Sequence, residues 1–208
     1  MSKVRSKHPI AINGARKEHR DASLIFIACE GEQTERQYFS FNCLKNSRVK
    51  LIIIPSDGKS APSYVLDNLK ARTKSYSLNV SDQMWIVSDI DKWNYETQLK
   101  PLFGKKIKTI PVQLALSNPC FEVFLYLHFF DMPAEPFIDA HHVERVLRKK
   151  LGSYSKTKLD EKIYEPLIWH AITESQKTTY STFRLPNNPG TDVGKLIESI
   201  YAMKPHKE

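Results

Sequence analysis

The chain has 208 residues, 41% of them hydrophobic, and 31 Lys and Arg against 23 Asp and Glu give it a formal charge of +8. That composition suits one globular domain with an appendage, and 11% aromatic residues argues against disorder. The longest apolar stretches, Leu24 to Cys29 and Val123 to Phe130, fall far short of the roughly 20 residues of a membrane span, and the N-terminus lacks an apolar signal core. A cytoplasmic protein is therefore expected, neither secreted nor membrane-embedded. Cys29, Cys43 and Cys120 are too few and too scattered for a disulfide framework or a thiolate metal cage.

In chain order, residues 1–20 are polar, contain Pro9 and Gly14 and show no sustained periodicity, which predicts a flexible arm. Leu24 to Cys29 is a continuous apolar run, the pattern of a strand buried on both faces. Thr34 to Leu44 places Tyr38, Phe41 and Leu44 near helical spacing, with Thr34 able to cap the start. Val49 to Ile54 reads as a second strand closed by Pro55, Asp57 and Gly58, and Ala61 to Tyr76 as a helix with Val65, Leu66 and Leu69 on its apolar face. Met84 to Ser88 is a third strand running into Asp89-Ile90-Asp91. Tyr95 to Phe103 is helical or loop-like, and Ile107 to Leu114 is a fourth strand that Pro111 marks as an edge candidate. Four helices are then expected, over Phe121 to Phe130, His141 to Leu151, Lys158 to Gln176 and Asp192 to Met203, the last preceded by a turn and N-cap in Asn187 to Asp192.

Strands alternating with helices predict an α/β fold with a parallel four-stranded sheet flanked by helices. The expected organisation is an arm over 1–20, an α/β core over 21–117 and a helical C-terminal part over 118–208 packed on that core. The charge is unevenly spread. Residues 1–20 hold six basic side chains against Glu18, and residues 144–162 hold seven against Glu144, Asp160 and Glu161, while the remainder is close to neutral. Two separated basic clusters can neutralise phosphates, although a basic tail and a solvated helix face have the same composition.

Ligands of such folds bind beyond the carboxyl ends of the strands. Two carboxylate groups stand there: Glu30-Gly31-Glu32-Gln33-Thr34-Glu35 after the first strand and Asp89-Ile90-Asp91 after the third. Carboxylates sharing one crevice repel each other unless a cation bridges them, and all-oxygen ligation suits Mg²⁺ or Mn²⁺. A lone D-x-D is equally well a solvated strand end. A haloacid-dehalogenase phosphatase would want Thr or Val at the fifth position of its motif, where Trp93 stands, and a nucleotide-sugar transferase would leave the Glu-Gly group without a role.

Five stretches, Leu24 to Phe39 (LIFIACEGEQTERQYF), Trp85 to Asp91 (WIVSDID), Ser117 to Phe129 (SNPCFEVFLYLHF), Tyr154 to Lys156 (YSK) and Asn188 to Val193 (NPGTDV), resemble the RloB-like family, which includes abortive-infection proteins of the AbiLii type. The resemblance implies a TOPRIM-like core and a metal-dependent site. On it, Glu30 matches the first-strand Glu and Asp89 and Asp91 the D-x-D pair; Glu35, or alternatively Glu32, matches the further acid of OLD-type nucleases. It also implies Mg²⁺ or Mn²⁺ as cofactor, hydrolysis of phosphodiesters in DNA or RNA including tRNA, a role in prokaryotic antiphage defence, and an ABC- or AAA-type ATPase encoded nearby. No G-x-x-x-x-G-K-[ST] phosphate loop is present in the chain itself.

Asn118, Glu122, Lys156 and Lys92 are candidates for holding substrate. For Asn118 and Glu122 the competing reading is a helix cap and a dipole partner, and for Lys156 an ordinary exposed lysine. His128, in an apolar stretch, is expected to be a packed histidine. The alternatives to a nuclease are a non-catalytic module that binds nucleic acid or an ATPase, and a Mg²⁺-dependent phosphoryl-transfer enzyme acting on a small nucleotide.

Overall fold

The computed structural model describes residues 22–203 apart from 57 and 60, so the expected arm over 1–20 and turn residue Asp57 lie outside the described residues. The apolar run becomes β1 (Ser23–Cys29), with every residue from Leu24 to Cys29 buried. It lies between β2 (Val49–Ile54) and β3 (Gln83–Asp89), both parallel to it, and β3 pairs in parallel with β5 (Ile110–Asn118). A strand so flanked and covered on both faces has no solvent side, which is why its sequence does not alternate.

The sheet order is β2-β1-β3-β5-β4. Two two-residue strands complete it, β4 (Lys106–Ile107) at the start of β5 and β6 (Gly190–Thr191) at its end, both antiparallel to β5. The four parallel strands are thus present in the expected order, but the fourth is shifted: expected over Ile107 to Leu114, it runs from Ile110 to Asn118, and Ile107 belongs to the separate antiparallel β4. Pro111 does not mark a bare edge, since it stands opposite Lys106 of β4.

Helices cover both faces. On one, α2 (Pro62–Thr73) lays Val65, Leu66 and Leu69 against Phe26, Met84 and Ile86. On the other, Ile25, Ile27, Trp85 and Val87 meet α1 (Thr34–Phe39) and the C-terminal helices α3 (Glu122–Tyr126), α4 (Ala140–Leu151), α5 (Glu161–Tyr164), α6 (Ile168–Ser175) and α7 (Val193–Ala202). Each fully buried Leu, Ile or Phe contributes about 1.5–3 kcal/mol, so this second face carries much of the apolar driving force. Gly194 lets α7 close on α6, because a β-carbon there would collide with the Ser175 side chain.

Several helices are shorter than their periodicity predicts. After Phe39 the chain turns at Ser40 and resumes as a 3₁₀ turn over Asn42–Leu44. Thr34 does not cap α1: Gln33 holds the cap position, and the Thr34 hydroxyl instead points to Glu122. The stretch 158–176 divides into α5, a 3₁₀ turn over Glu165–Leu167 containing Pro166, and α6, since proline cannot continue the backbone ladder. Residues 95–102 form two consecutive irregular helical turns. Asp192 precedes α7 without a side-chain cap bond; its carboxylate instead accepts from Tyr180 and Lys195.

Candidate functional site

Glu30 directly follows β1 and Asp89 ends β3, and since these strands are adjacent and parallel the sheet alone brings the two residues to one edge. The Glu30 amide continues the ladder onto the Val87 carbonyl. Its side chain is buried, and one carboxylate oxygen collects three donors: the Ser88 hydroxyl at 2.5 Å, the Asp89 amide at 3.1 Å and the Trp93 indole N–H at 3.2 Å. Burial raises the Glu30 carboxyl above its ordinary value even though these donors oppose it.

Asp89 accepts the Phe121 amide at 2.8 Å, fastening the end of β3 to the segment that enters α3. Its carboxyl is driven well above the usual range by burial first and then by the charges of Glu35, Glu30, Glu122 and Asp91. Glu35, in the first turn of α1, is also buried; it turns back to accept the Gly31 amide at 3.0 Å. Burial, with Glu122 and Glu30 nearby, pushes its carboxyl up to about 7. Gly31 leaves room for the Glu35 carboxylate, whose place a β-carbon at this turn would occupy.

Asp89 and Glu35 face a cleft of about 440 Å³ lined by Glu32, Glu122, Lys156 and Thr157 among others, while Glu30 lies outside that lining and reaches the site through its bond to the Asp89 amide. Glu122 is buried at the start of α3, where its Oε1 accepts from Tyr154 at 3.2 Å and Thr34 at 3.5 Å and pairs with the Lys156 ammonium at 3.2 Å. Lys156 also pairs with Glu144 at 2.8 Å. Partial burial works against its charge, but Glu122 and Glu144 outweigh that and raise its pKa.

Of the residues singled out in the sequence, Glu30, Glu35, Asp89, Glu122 and Lys156 therefore share one neighbourhood. Between the alternatives Glu32 and Glu35, Glu35 is the buried one beside Asp89, while Glu32 is an exposed lining residue. Asp91 and Lys92 are exposed and outside the cleft lining, though both act on the site through their charge. Asn118 caps no helix: its side-chain amide donates to the Pro186 carbonyl at 2.9 Å, and α3 begins four residues later. Ser88, Trp93, Thr34, Tyr154 and Glu144 hold the site without having been expected there. Of these, Trp93 follows the D-x-D and Tyr154 lies in the YSK stretch, but hydrogen-bonding geometry was not written in either pattern.

The donor set suits a hard divalent cation. Burial pushes all three carboxylates at the sheet edge towards protonation, and for Asp89 and Glu35 the neighbouring carboxylates add to it; positive charge between them reverses both effects. Their oxygens are spread around the cleft; among the described residues, three ligand atoms lie within 4.8 Å of one another only in Asp131, His170 and Glu174. That second group is largely paired internally, His170 with the Leu127 carbonyl and Asp131, and Glu174 with Lys177 and the Met132 amide.

Among the described residues no helix is long and apolar enough to cross a membrane. No curated protein matches the chain, and no solved structure does. A family model described as RloB-like protein matches residues 25–200, a span that runs from within β1 to within α7 and takes in every candidate residue named above. The chain belongs to the RloB-like protein family.

Proposed function

We propose that this protein is a divalent-metal-dependent nuclease that hydrolyses phosphodiesters of DNA or RNA, in the manner of TOPRIM enzymes. The supporting observation is the set of carboxylates Glu30, Asp89 and Glu35 gathered at the carboxyl end of β1 and β3, with the ammonium of Lys156 held by Glu122 and Glu144 in the cleft that Asp89 and Glu35 line.

Glu30, Asp89 and Asp91 would hold Mg²⁺ or Mn²⁺, which when bound supplies charge stabilisation for the scissile phosphate and acidifies an attacking water. Ser88, Trp93 and the Asp89 amide keep one Glu30 oxygen fixed, leaving the other for the cation. The Phe121 amide does the same for Asp89. Glu35, buried beside Asp89 and lining the cleft, is placed to take a proton from the attacking water. Lys156 would meet a phosphate oxygen, and the exposed basic residues Arg145, Arg148, Lys149 and Lys150 of α4 would track the strand. A role in antiphage defence with an ABC- or AAA-type ATPase partner follows from the family resemblance.

The test incubates the full chain, alone and with the ATPase encoded beside it, with labelled DNA and RNA, including tRNA, in Mg²⁺ or Mn²⁺. Glu30→Gln and Asp89→Asn are expected to abolish cleavage, and Glu35→Gln to slow it by roughly 10²–10⁴-fold. Cleavage that survives both Glu30→Gln and Asp89→Asn refutes the site. Binding of nucleic acid without cleavage under any condition assigns the protein to the non-catalytic reading.

A further inference from the structure

The sheet edge that carries Glu30 and Asp89 also carries an aromatic stack that the carboxylate chemistry does not use. Phe183, 51% exposed, stacks on the half-buried Tyr95 with ring centroids 4.3 Å apart and planes inclined by 28°. Phe103 also meets Tyr95, edge-on with centroids 6.5 Å apart. Tyr95 thus backs Phe183 and leaves it a face towards solvent.

Both rings are anchored to the candidate site. Tyr95 lies two residues beyond Trp93, whose indole N–H holds Glu30, and Trp93, Tyr95 and Leu185 pack together against Ile90, Leu99 and Leu116. Phe183 sits on a tight hairpin closed by the Tyr180 to Pro186 bridge and by Ser181 N–H to Leu185 carbonyl and Arg184 N–H to Ser181 carbonyl bonds. Asn118 holds this hairpin through the Pro186 carbonyl, and on β5 it directly follows Ser117, the register partner of Asp89. Arg184, which follows Phe183 in the hairpin, is exposed and in the left-handed backbone region at φ 61°.

An exposed aromatic ring stacked on a second ring, followed in the chain by an exposed arginine and joined to Glu30 through the cluster that holds Trp93, has the chemistry of a stacking platform for a planar, electron-rich base on a phosphate backbone. We propose that Phe183, supported by Tyr95 and accompanied by Arg184, binds an unpaired nucleobase adjoining the phosphate held at Glu30 and Asp89. The substrate is accordingly single-stranded, or a loop of folded RNA, at the cut. A base inside a duplex is stacked on its neighbours on both faces and has none to offer Phe183. The inference rests on the nuclease reading for its phosphate, but the binding it predicts does not require cleavage.

The experiment measures fluorescence anisotropy of labelled single-stranded DNA and RNA 20-mers and of a duplex of equal length with the full chain in EDTA, for wild type, Phe183→Ala and Phe183→Trp. Thermal melting of each variant accompanies it. Phe183→Ala is expected to weaken single-strand binding about tenfold while leaving duplex binding and melting unchanged, and Phe183→Trp to restore it. Equal single-strand affinity in wild type and Phe183→Ala overturns the proposal, as does an equal loss on duplex or a failure of Trp to rescue; these outcomes leave the aromatic patch to a protein partner. If the base-dependent binding holds but no metal supports cleavage, the nuclease reading falls and the platform stands. If no nucleic acid binds at all, both fall.

Discussion

The indole N–H of Trp93 donates to Glu30 Oε2 across 3.2 Å, tying the loop after β3 to the residue that follows β1 and fixing one of the two Glu30 oxygens. Trp93→Phe keeps most of the ring and removes the donor. The Glu30 carboxyl should then be protonated more easily, because that hydrogen bond is one of those holding its pKa down. A stability loss of about 1 kcal/mol, read from the urea midpoint at unchanged slope, and severalfold weaker Mn²⁺ binding are expected. Unchanged Mn²⁺ affinity would show that Glu30 is not a ligand.

Gly31 and Glu35 compete for one volume, so Gly31→Ala should displace the Glu35 carboxylate from the cleft without unfolding the turn, whose backbone another residue can adopt. Activity is expected to fall as far in Gly31→Ala as in Glu35→Ala, and no further in the double variant. That non-additivity is the signature of a shared mechanism. Additive losses would mean that Gly31 acts through something other than Glu35.

The Glu35 carboxyl, raised from 4.5 to about 7, makes the cation-free protein pH-sensitive. A group that binds its proton more tightly when folded contributes stability that is fully present below pH 4.5 and is lost as pH rises through 7. The shift corresponds to roughly 3 kcal/mol as an upper figure. In EDTA, Glu35→Gln should therefore melt above wild type at pH 8 and close to it at pH 4.5. Saturating Mn²⁺ should erase the advantage by supplying the charge that Glu35 faces. Identical pH profiles for the two proteins in EDTA would contradict the burial of this carboxylate.

His128 works in the opposite direction over an overlapping range. Its Nδ1–H is assigned to the Phe124 carbonyl at 3.0 Å, leaving Nε2 to accept the Tyr38 hydroxyl at 3.0 Å, so the ring is neutral and both nitrogens are satisfied. Burial lowers its pKa from 6.5 to about 4. Stability from this site is present above pH 6.5 and is lost as pH falls to 4, by roughly 3 kcal/mol at most. His128→Gln retains a partner for Tyr38 and does not titrate. The difference in melting temperature between wild type and His128→Gln should consequently shrink or reverse between pH 6.5 and 4, and a constant difference would place His128 in contact with solvent.

The local pattern determined the strands, the parallel sheet and the position of the carboxylates at the strand ends. Those features are encoded by short-range order: a six-residue apolar run such as Leu24 to Cys29 has nowhere stable to lie except between two neighbours and two layers. Tertiary structure decided the rest. It placed Glu35 rather than Glu32 in the buried ring, turned Thr34 from a helix cap to a partner of Glu122 88 residues away, and made Asn118 the grip on the hairpin that carries Phe183. It also brought Lys156 from a basic stretch onto Glu122 and Glu144. Such assignments depend on which faces of distant elements meet. Residues of equal local propensity become ligand, brace or solvated charge according to the burial and partners that packing gives them.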